Sequence, residues 1–306
     1  MSQPAPPQAT PSVLPWSHAL LALAVMAVWG TNFVVIRIGL DHLPPLAFST
    51  LRFIFVLLPA VFFLKRPQVP WKHLAAYGLF IGAGQFGLLF LAMNGHIAPG
   101  LASLVMQMQV FFTIGLSVWI AKESVKLFQV AALALTAAGL AVIALNTDAA
   151  TTPLGLGLTL LAALSWAGGN MVMKASGKVD ALAYVVWASL FSIPPLIALS
   201  LTFEGWPAVE AGLRAAGPET WAAVLWQSVG NTMFGFAAWG WLLARHPAAV
   251  VTPAALLVPV FGMAASAVFL HEPLPAWKLI AAGLVMAGLA AIVLYPRLSA
   301  RWTARA

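Results

Sequence analysis

Cysteine is missing from the chain altogether, and carboxylates are scarce. No Cys occurs in 306 residues, which excludes disulfides, thiolate metal sites and cysteine nucleophiles. Asp and Glu together number 8, and charged residues of both signs make up only 8%, against about a quarter in ordinary soluble domains. A soluble fold cannot cover its surface with so few charges. What fills the sequence instead is apolar, with 62% of residues hydrophobic. The bilayer is therefore the expected solvent.

A formal net charge of +7 invites a nucleic-acid reading, but its placement excludes one. Lys and Arg sit at the ends of apolar segments rather than in a run or along one face, as membrane topology requires. Residues 1–16 are rich in Pro, Ala and Gln and carry no Lys or Arg. Lacking the positive n-region of a signal peptide, they are expected to form a disordered cytoplasmic tail.

Segments of about 20 apolar residues, long enough to cross the hydrocarbon core, fall at ten places: 17–37, 44–64, 73–93, 98–120, 127–146, 153–173, 181–203, 219–243, 248–270 and 276–295. Connectors are short and polar except the seventh, 204–218. With the N-terminus inside, the cytoplasmic side holds Lys65, Arg66, Lys72, Lys122, Lys126, Lys174, Lys178, Arg245, Arg297, Arg301 and Arg305, and the outside only Arg37, Arg214 and Lys278. That asymmetry predicts both termini in the cytoplasm, with 297–306 a basic tail. Trp16, Trp71, Trp206, Trp221, Trp277 and Trp302 cluster at span ends, where indoles prefer the interface.

The two halves resemble each other. Gly139-Leu-Ala-Val-Ile-Ala-Leu145 in the fifth span and Gly288-Leu-Ala-Ala-Ile-Val-Leu294 in the tenth share five of seven residues at an offset of 149, which also aligns Lys122-Glu123-Ser124 with His271-Glu272-Pro273. Trp29-Gly-Thr-Asn32 finds a partner in Trp166-Ala-Gly-Gly-Asn170. The predicted repeats are residues 17–146 and 153–296. A unit of five helices starts and ends on opposite faces, so its second copy runs upside down. Inverted repeats of this kind build secondary transporters, with the solute site near the midplane and alternating access by rocking of the halves.

These residues resemble a known group. Val28-Trp-Gly-Thr-Asn-Phe-Val-Val-Ile-Arg37, Pro44-Pro45, Leu51-Arg52-Phe53, Gly100-Leu-Ala-Ser-Leu-Val-Met-Gln-Met-Gln109, Phe111-Phe112-Thr113, Ser165-Trp166, Gly169-Asn170 and the acidic connectors at Glu123 and Glu272 are similar to the EamA family of the drug/metabolite transporter superfamily, along nearly the whole chain. Within it the motifs look most like exporters of cysteine and O-acetylserine, with exporters of aromatic amino acids as more distant relatives. The resemblance implies an all-α fold of ten helices as a 5+5 inverted repeat. It also implies export of amino acids and related metabolites across the bacterial inner membrane, with broad specificity and no cofactor. A monomer is expected.

Polar side chains at membrane depth need a partner or a task. Arg52 lies deep in the second span, where insertion scales charge about 2.5–3.5 kcal/mol, and no Asp or Glu lies in a span interior to meet it. Two readings stay open: a bidentate anchor for a substrate carboxylate, or a structural Arg bonded to helix carbonyls, Glu123 or Glu272. Gln85, Gln107, Gln109, Gln227 and Asn231 are neutral polar candidates for contact with substrate or a neighbouring helix. Gln227 and Asn231 share one face of their helix; Gln107 and Gln109, two apart, do not, so one of them should bond another helix. Asn32 and Asn170, equivalent in the repeat, are expected to face each other. Trp29, Phe33, Phe86, Phe111, Trp166, Trp187 and Trp239 are candidates for an apolar wall. Pro59, Pro194, Pro195, Pro253 and Pro259 each remove a backbone donor and are candidate hinges. Gly78 and Gly82, four apart, read as a close-packing seam.

A membrane enzyme would need an acid, base or nucleophile deep in the site, whereas His18, His96, His246 and His271 sit at span ends. A channel would want a ring of charge or a filter. A nucleotide-sugar or sugar-phosphate transporter of the same superfamily is the alternative, but a phosphate wants several midplane cations and only Arg52 is there. Without an intramembrane carboxylate or His relay, export is expected to run down the substrate's own gradient. No metal site is expected.

Overall fold

The computed structural model describes residues 14–121, 126–147 and 150–303. Most of the N-terminal tail, the connector at Lys122, Glu123 and Ser124, Asp148 and Arg305 lie outside the described residues. The protein is all-helical, with α1 (Trp16–Gly39), α2 (Pro45–Leu57), α3 (Trp71–Gly78), α4 (Leu88–Met93), α5 (Pro99–Val105), α6 (Met108–Ala121), α7 (Leu127–Leu145), α8 (Pro153–Ala175), α9 (Ala181–Phe203), α10 (Trp206–Ala215), α11 (Pro218–Leu225), α12 (Gly235–Arg245), α13 (Ala248–Val251), α14 (Leu257–Phe269) and α15 (Ala276–Thr303). Nine helical segments among the described residues are long and apolar enough to cross a bilayer. They account for nine of the ten expected spans.

The remaining one, expected over 219–243, is a helical rod of a different kind. α11 passes into α12 through a π-helical stretch, Trp226–Phe234, in which Gln227, Ser228, Asn231 and Thr232 are all buried. Its polarity faces protein rather than lipid. The third span contains the same device: α3 and α4 are joined through a π-helical stretch of equal length, Leu79–Gly87. Such π segments are rare and collect at functional sites.

Several spans depart from a single straight helix. The second was expected over 44–64, but α2 stops at Leu57; Leu58 is extended and a short 3-10 turn, Ala60–Phe62, follows Pro59. The fourth is divided at Met106-Gln107 between α5 and α6. The ninth is divided by a 3-10 turn, Thr252–Leu256, that contains Pro253, between α13 and α14. Pro194 and Pro195 break nothing: α9 runs through both as one helix, and Pro259 sits buried within α14. The seventh connector is largely the helix α10, and α15 continues to Thr303 into the expected basic tail.

Helix starts are set locally in some places and across the fold in others. Thr152 caps α8 by accepting from the Gly155 amide at 3.1 Å, and Asp180 caps α9 by accepting from the Ala183 amide at 2.8 Å, as small oxygen-bearing residues do. α2 begins at Pro44-Pro45 with no cap of its own. Its free amides at Leu46 and Ala47 donate instead to Glu204, at 2.6 and 3.0 Å, from the end of α9. Likewise the Gly100 amide of α5 donates to Glu272 at 2.9 Å, whose other oxygen accepts from Lys278 at 2.9 Å. A carboxylate suits the positive end of a helix.

Four helix pairings organise the bundle, α7 along α15, α1 along α14, α6 along α8 and α2 along α9, and the two π-bearing rods pack against α8–α9 and α1–α2 respectively. Small residues let the backbones close. A methyl group added at Gly78 or Gly82 would collide with the Ala188 carbonyl or the Ser192 side chain, so the expected seam is real and its partner is α9. Gly139 and Gly288 sit reciprocally, one against Ala281 and Val285 of α15, the other against Ala132 and Thr136 of α7.

Candidate functional site

The deepest polar cluster forms where α1, α2 and both π segments meet. Arg52 is 1% exposed. Its Nη2 donates to the Thr232 hydroxyl at 2.9 Å, and the Thr232 hydroxyl donates in turn to the Gln227 backbone carbonyl at 2.9 Å. That last bond reaches five residues back, the spacing a π turn brings together. Ser228 ties the other side by donating to the Arg52 carbonyl at 3.0 Å. The Arg52 guanidinium carbon lies 3.3 Å from the Phe86 ring centre and 5.1 Å from that of Phe53, a cation–π contact in a desolvated setting. Two guanidinium nitrogens, Nε and Nη1, are buried with no hydrogen-bond partner.

Gln227 completes the cluster. It is fully buried, and its amide nitrogen donates to Asn32 Oδ1 at 2.8 Å, while its carbonyl oxygen, Oε1, is buried without a partner. Gln85, from the Leu79–Gly87 segment, and Asn231, from the Trp226–Phe234 segment, are buried in the same two π stretches. Trp29 donates its indole N–H to the Asn231 carbonyl at 3.1 Å and packs against Trp239 at 5.6 Å and Phe236 at 6.0 Å. Phe33 and Phe86 belong to the main core.

A second polar group lies between α6 and α8. Asn170 donates to Gln109 Oε1 at 2.9 Å and lies 3.3 Å from the Thr113 hydroxyl. Asn32 and Asn170, expected to face each other, each bond a Gln of another helix. Of the two glutamines on the fourth span, Gln109 makes the interhelical bond, and Gln107 sits buried at the break between α5 and α6. Phe111 is buried and Trp166 packs on the same core.

Trp187 has a different setting. Its indole N–H donates to the Leu64 carbonyl at 3.0 Å, just past the turn at Pro59, and its ring meets Trp71 at 6.2 Å. It anchors the end of the second span. Of the structural partners left open for Arg52, Glu272 is engaged by Gly100 and Lys278 while Arg52 bonds Thr232, and Glu123 lies outside the described residues.

Ser228 and Thr232 were not among the expected site residues, though the polar run Gln227-Ser228-Val229-Gly230-Asn231-Thr232 carries the signal. Helical spacing of four selects Gln227 and Asn231; the π spacing of five that selects Thr232 was not legible. A further chain, His73 to Ser176 at 3.0 Å and Ser176 to Tyr184 at 2.9 Å, also joins distant segments. An open cavity of about 420 Å³ lies elsewhere, between the end of α1, the start of α5 and the loop at His271-Glu272. The Arg52–Gln227 cluster itself is closed by packing.

Known proteins share this plan. The EamA-like transporter family matches the chain twice, over residues 16–145 and 153–294. A probable amino-acid metabolite efflux pump of Salmonella typhimurium is 42% identical over 276 residues, spanning 88% of this chain and 92% of that protein. A protein of the same description from Escherichia coli is 40% identical over 277 residues, with the same coverage. An uncharacterised transporter of Bacillus subtilis is 27% identical over 279 residues, covering 87% of this chain and 93% of that one. A crystal structure only 20% identical in sequence superposes with a TM-score of 0.61 over 92% of this chain and 98% of that one, so the fold is shared. Together with the apolar helices, these similarities make the protein a multi-pass membrane transporter. The chain belongs to the EamA-like transporter family.

Proposed function

We propose that this protein exports amino acids and related small metabolites across the bacterial inner membrane by alternating access, with Arg52 as the anchor for the substrate carboxylate. The observation that carries the reading is the buried guanidinium with Nε and Nη1 unmet. A buried polar group without a partner is expensive, and an intramembrane cation calls for an anion. The relatives described as amino-acid metabolite efflux pumps supply the cargo class, and every amino acid brings a carboxylate. The aromatic residues around the cluster, Phe53 and Phe86, suit apolar side chains. No chemistry on the cargo is proposed.

We read the two family matches as inverted repeats, and the internal correspondences support this. Both π segments fall at equivalent places, the divided fourth and ninth spans are equivalent, and Gly139 and Gly288 are reciprocal. Exchanging the halves also turns the α1–α14 pairing into the α8–α6 pairing, while α2–α9 and α7–α15 map onto themselves. The rod from Pro218 to Arg245 is then the eighth span and brings the number to ten. Both termini are placed in the cytoplasm. In support, each basic residue assigned to the outside holds a carboxylate partner: Arg37 with Asp41, Arg214 with Glu210 and Lys278 with Glu272. The working unit is proposed to be a monomer, moving cargo down its own gradient.

The test is uptake of an amino-acid panel into proteoliposomes, comparing wild type with Arg52→Gln. Transport is expected to fall at least tenfold in the variant while detergent-solution folding is retained. Equal transport by a folded Arg52→Gln protein refutes the anchor. Acceleration of many-fold by an imposed pH gradient alone refutes the uncoupled mechanism.

A further inference from the structure

Arg52 is one half of an arrangement whose other half has opposite polarity. Among the described residues, three of the buried side-chain atoms left without partners are Arg52 Nε, Arg52 Nη1 and Gln227 Oε1. Both side chains are tied to the Trp226–Phe234 segment, Arg52 through Thr232 and Gln227 by lying within it. Arg52 reaches Thr232, Thr232 bonds back to Gln227, and Ser228 fixes the Arg52 backbone. The Gln227 amide is not free to present either end. Its NH2 group is held by Asn32 Oδ1 at 2.8 Å, which leaves the carbonyl oxygen as the end without a partner. The cluster thus combines unmet guanidinium N–H donors from α2 with an unmet amide acceptor from the π segment.

From this geometry we infer that Gln227 Oε1 is the group that recognises the substrate's ammonium, making the site selective for zwitterions over simple carboxylates. The inference rests on the reading of Arg52 as carboxylate anchor. An α-amino acid carries both groups on one carbon, so a ligand whose carboxylate meets Arg52 brings N–H donors into the same cluster. A deaminated acid satisfies Arg52 and leaves Oε1 unmet. A buried acceptor without a donor penalises that ligand by roughly ten- to hundredfold, and a site built to bond a group rejects analogues lacking it. A neutral amide acceptor, unlike a carboxylate, does this without pairing with Arg52 and closing the site against its own cargo. That explains why an amide rather than an acid stands there.

The experiment uses the full-length protein in proteoliposomes. Serine, cysteine, methionine and phenylalanine are each assayed beside the matching deaminated acid, such as 3-phenylpropionate for phenylalanine. Wild type is expected to favour the amino acid by about ten- to hundredfold. Gln227→Met, which keeps length and removes the acceptor, is expected to bring that preference to within about threefold, with the deaminated acid still transported. Should this variant not fold, Asn32→Ala, which releases the amide from its tether, must lower the same preference. A preference unchanged in folded Gln227→Met or Asn32→Ala overturns the inference and leaves the Arg52 anchor standing. Loss of both ligands in Arg52→Gln with retention of the deaminated acid in Gln227→Met supports both. Retention of both ligands in Arg52→Gln overturns the anchor itself.

Discussion

The knot around Glu272 gives a prediction whose size follows from the contacts. Glu272 accepts from Lys278 Nζ and from the Gly100 amide, both at 2.9 Å, and the side chains of Lys278 and Glu272 are only 3% and 7% exposed. Replacing Glu272 by Gln keeps an oxygen for the Gly100 amide, so the helix cap survives. It also leaves an ammonium buried without its counter-charge. Breaking one side of a buried pair costs about 3–5 kcal/mol. Removing both charges in Glu272→Gln/Lys278→Met restores an uncharged, capped contact and is expected within about 1 kcal/mol of wild type, because buried pairs replaced as a whole are often neutral. Adding Lys278→Met to Glu272→Gln is then expected to recover about 2–4 kcal/mol of the loss. Glu272→Ala removes the cap as well, adding about 1 kcal/mol. The assay is reversible unfolding in mixed micelles of increasing dodecyl sulfate, followed by tryptophan fluorescence. A double variant as unstable as Glu272→Gln alone refutes the reasoning, since the penalty would then not come from an unpaired Lys278.

Three other outcomes are expected. Thr232→Val removes the one side-chain acceptor of Arg52 and should destabilise the protein by about 1–3 kcal/mol in the same unfolding assay, with Thr232→Ser near wild type. Gly288→Leu, which collides with Ala132 and Thr136, should cost about 1–3 kcal/mol by overpacking and lower the yield of monodisperse protein in size-exclusion chromatography. Because the chain has no native cysteine, single substitutions report topology without background. An impermeant maleimide applied to intact cells should label Ala216→Cys and not Gln68→Cys, and the opposite pattern would invert the proposed orientation.

Composition and apolar run length settled what this protein is immersed in, because too few charges exist to face water along 306 residues and hydrocarbon thickness fixes the length of a span. The offset matches at Gly139 and Gly288 similarly announced an internal repeat, since small residues recur where two helices must approach. Side-chain identity alone also marked Arg52, Gln227 and Asn32 as costly at depth. What the sequence could not decide is which partner relieves each cost. Arg52 found Thr232 and Phe86, and Gln227 found Asn32, through contacts 180 and 195 residues apart in the two hydrogen bonds. The π stretches in the third and eighth rods belong to the same class of decision. Local propensity favours the 3.6-residue turn, so only packing against α1, α2, α8 and α9 could select a wider one and bring Thr232 under Gln227. The Pro194-Pro195 pair, a candidate hinge because each residue removes a backbone donor, lies within one helix, α9. Bilayer and repeat are encoded along the chain, whereas the pairing of buried polar groups exists only once the helices have met.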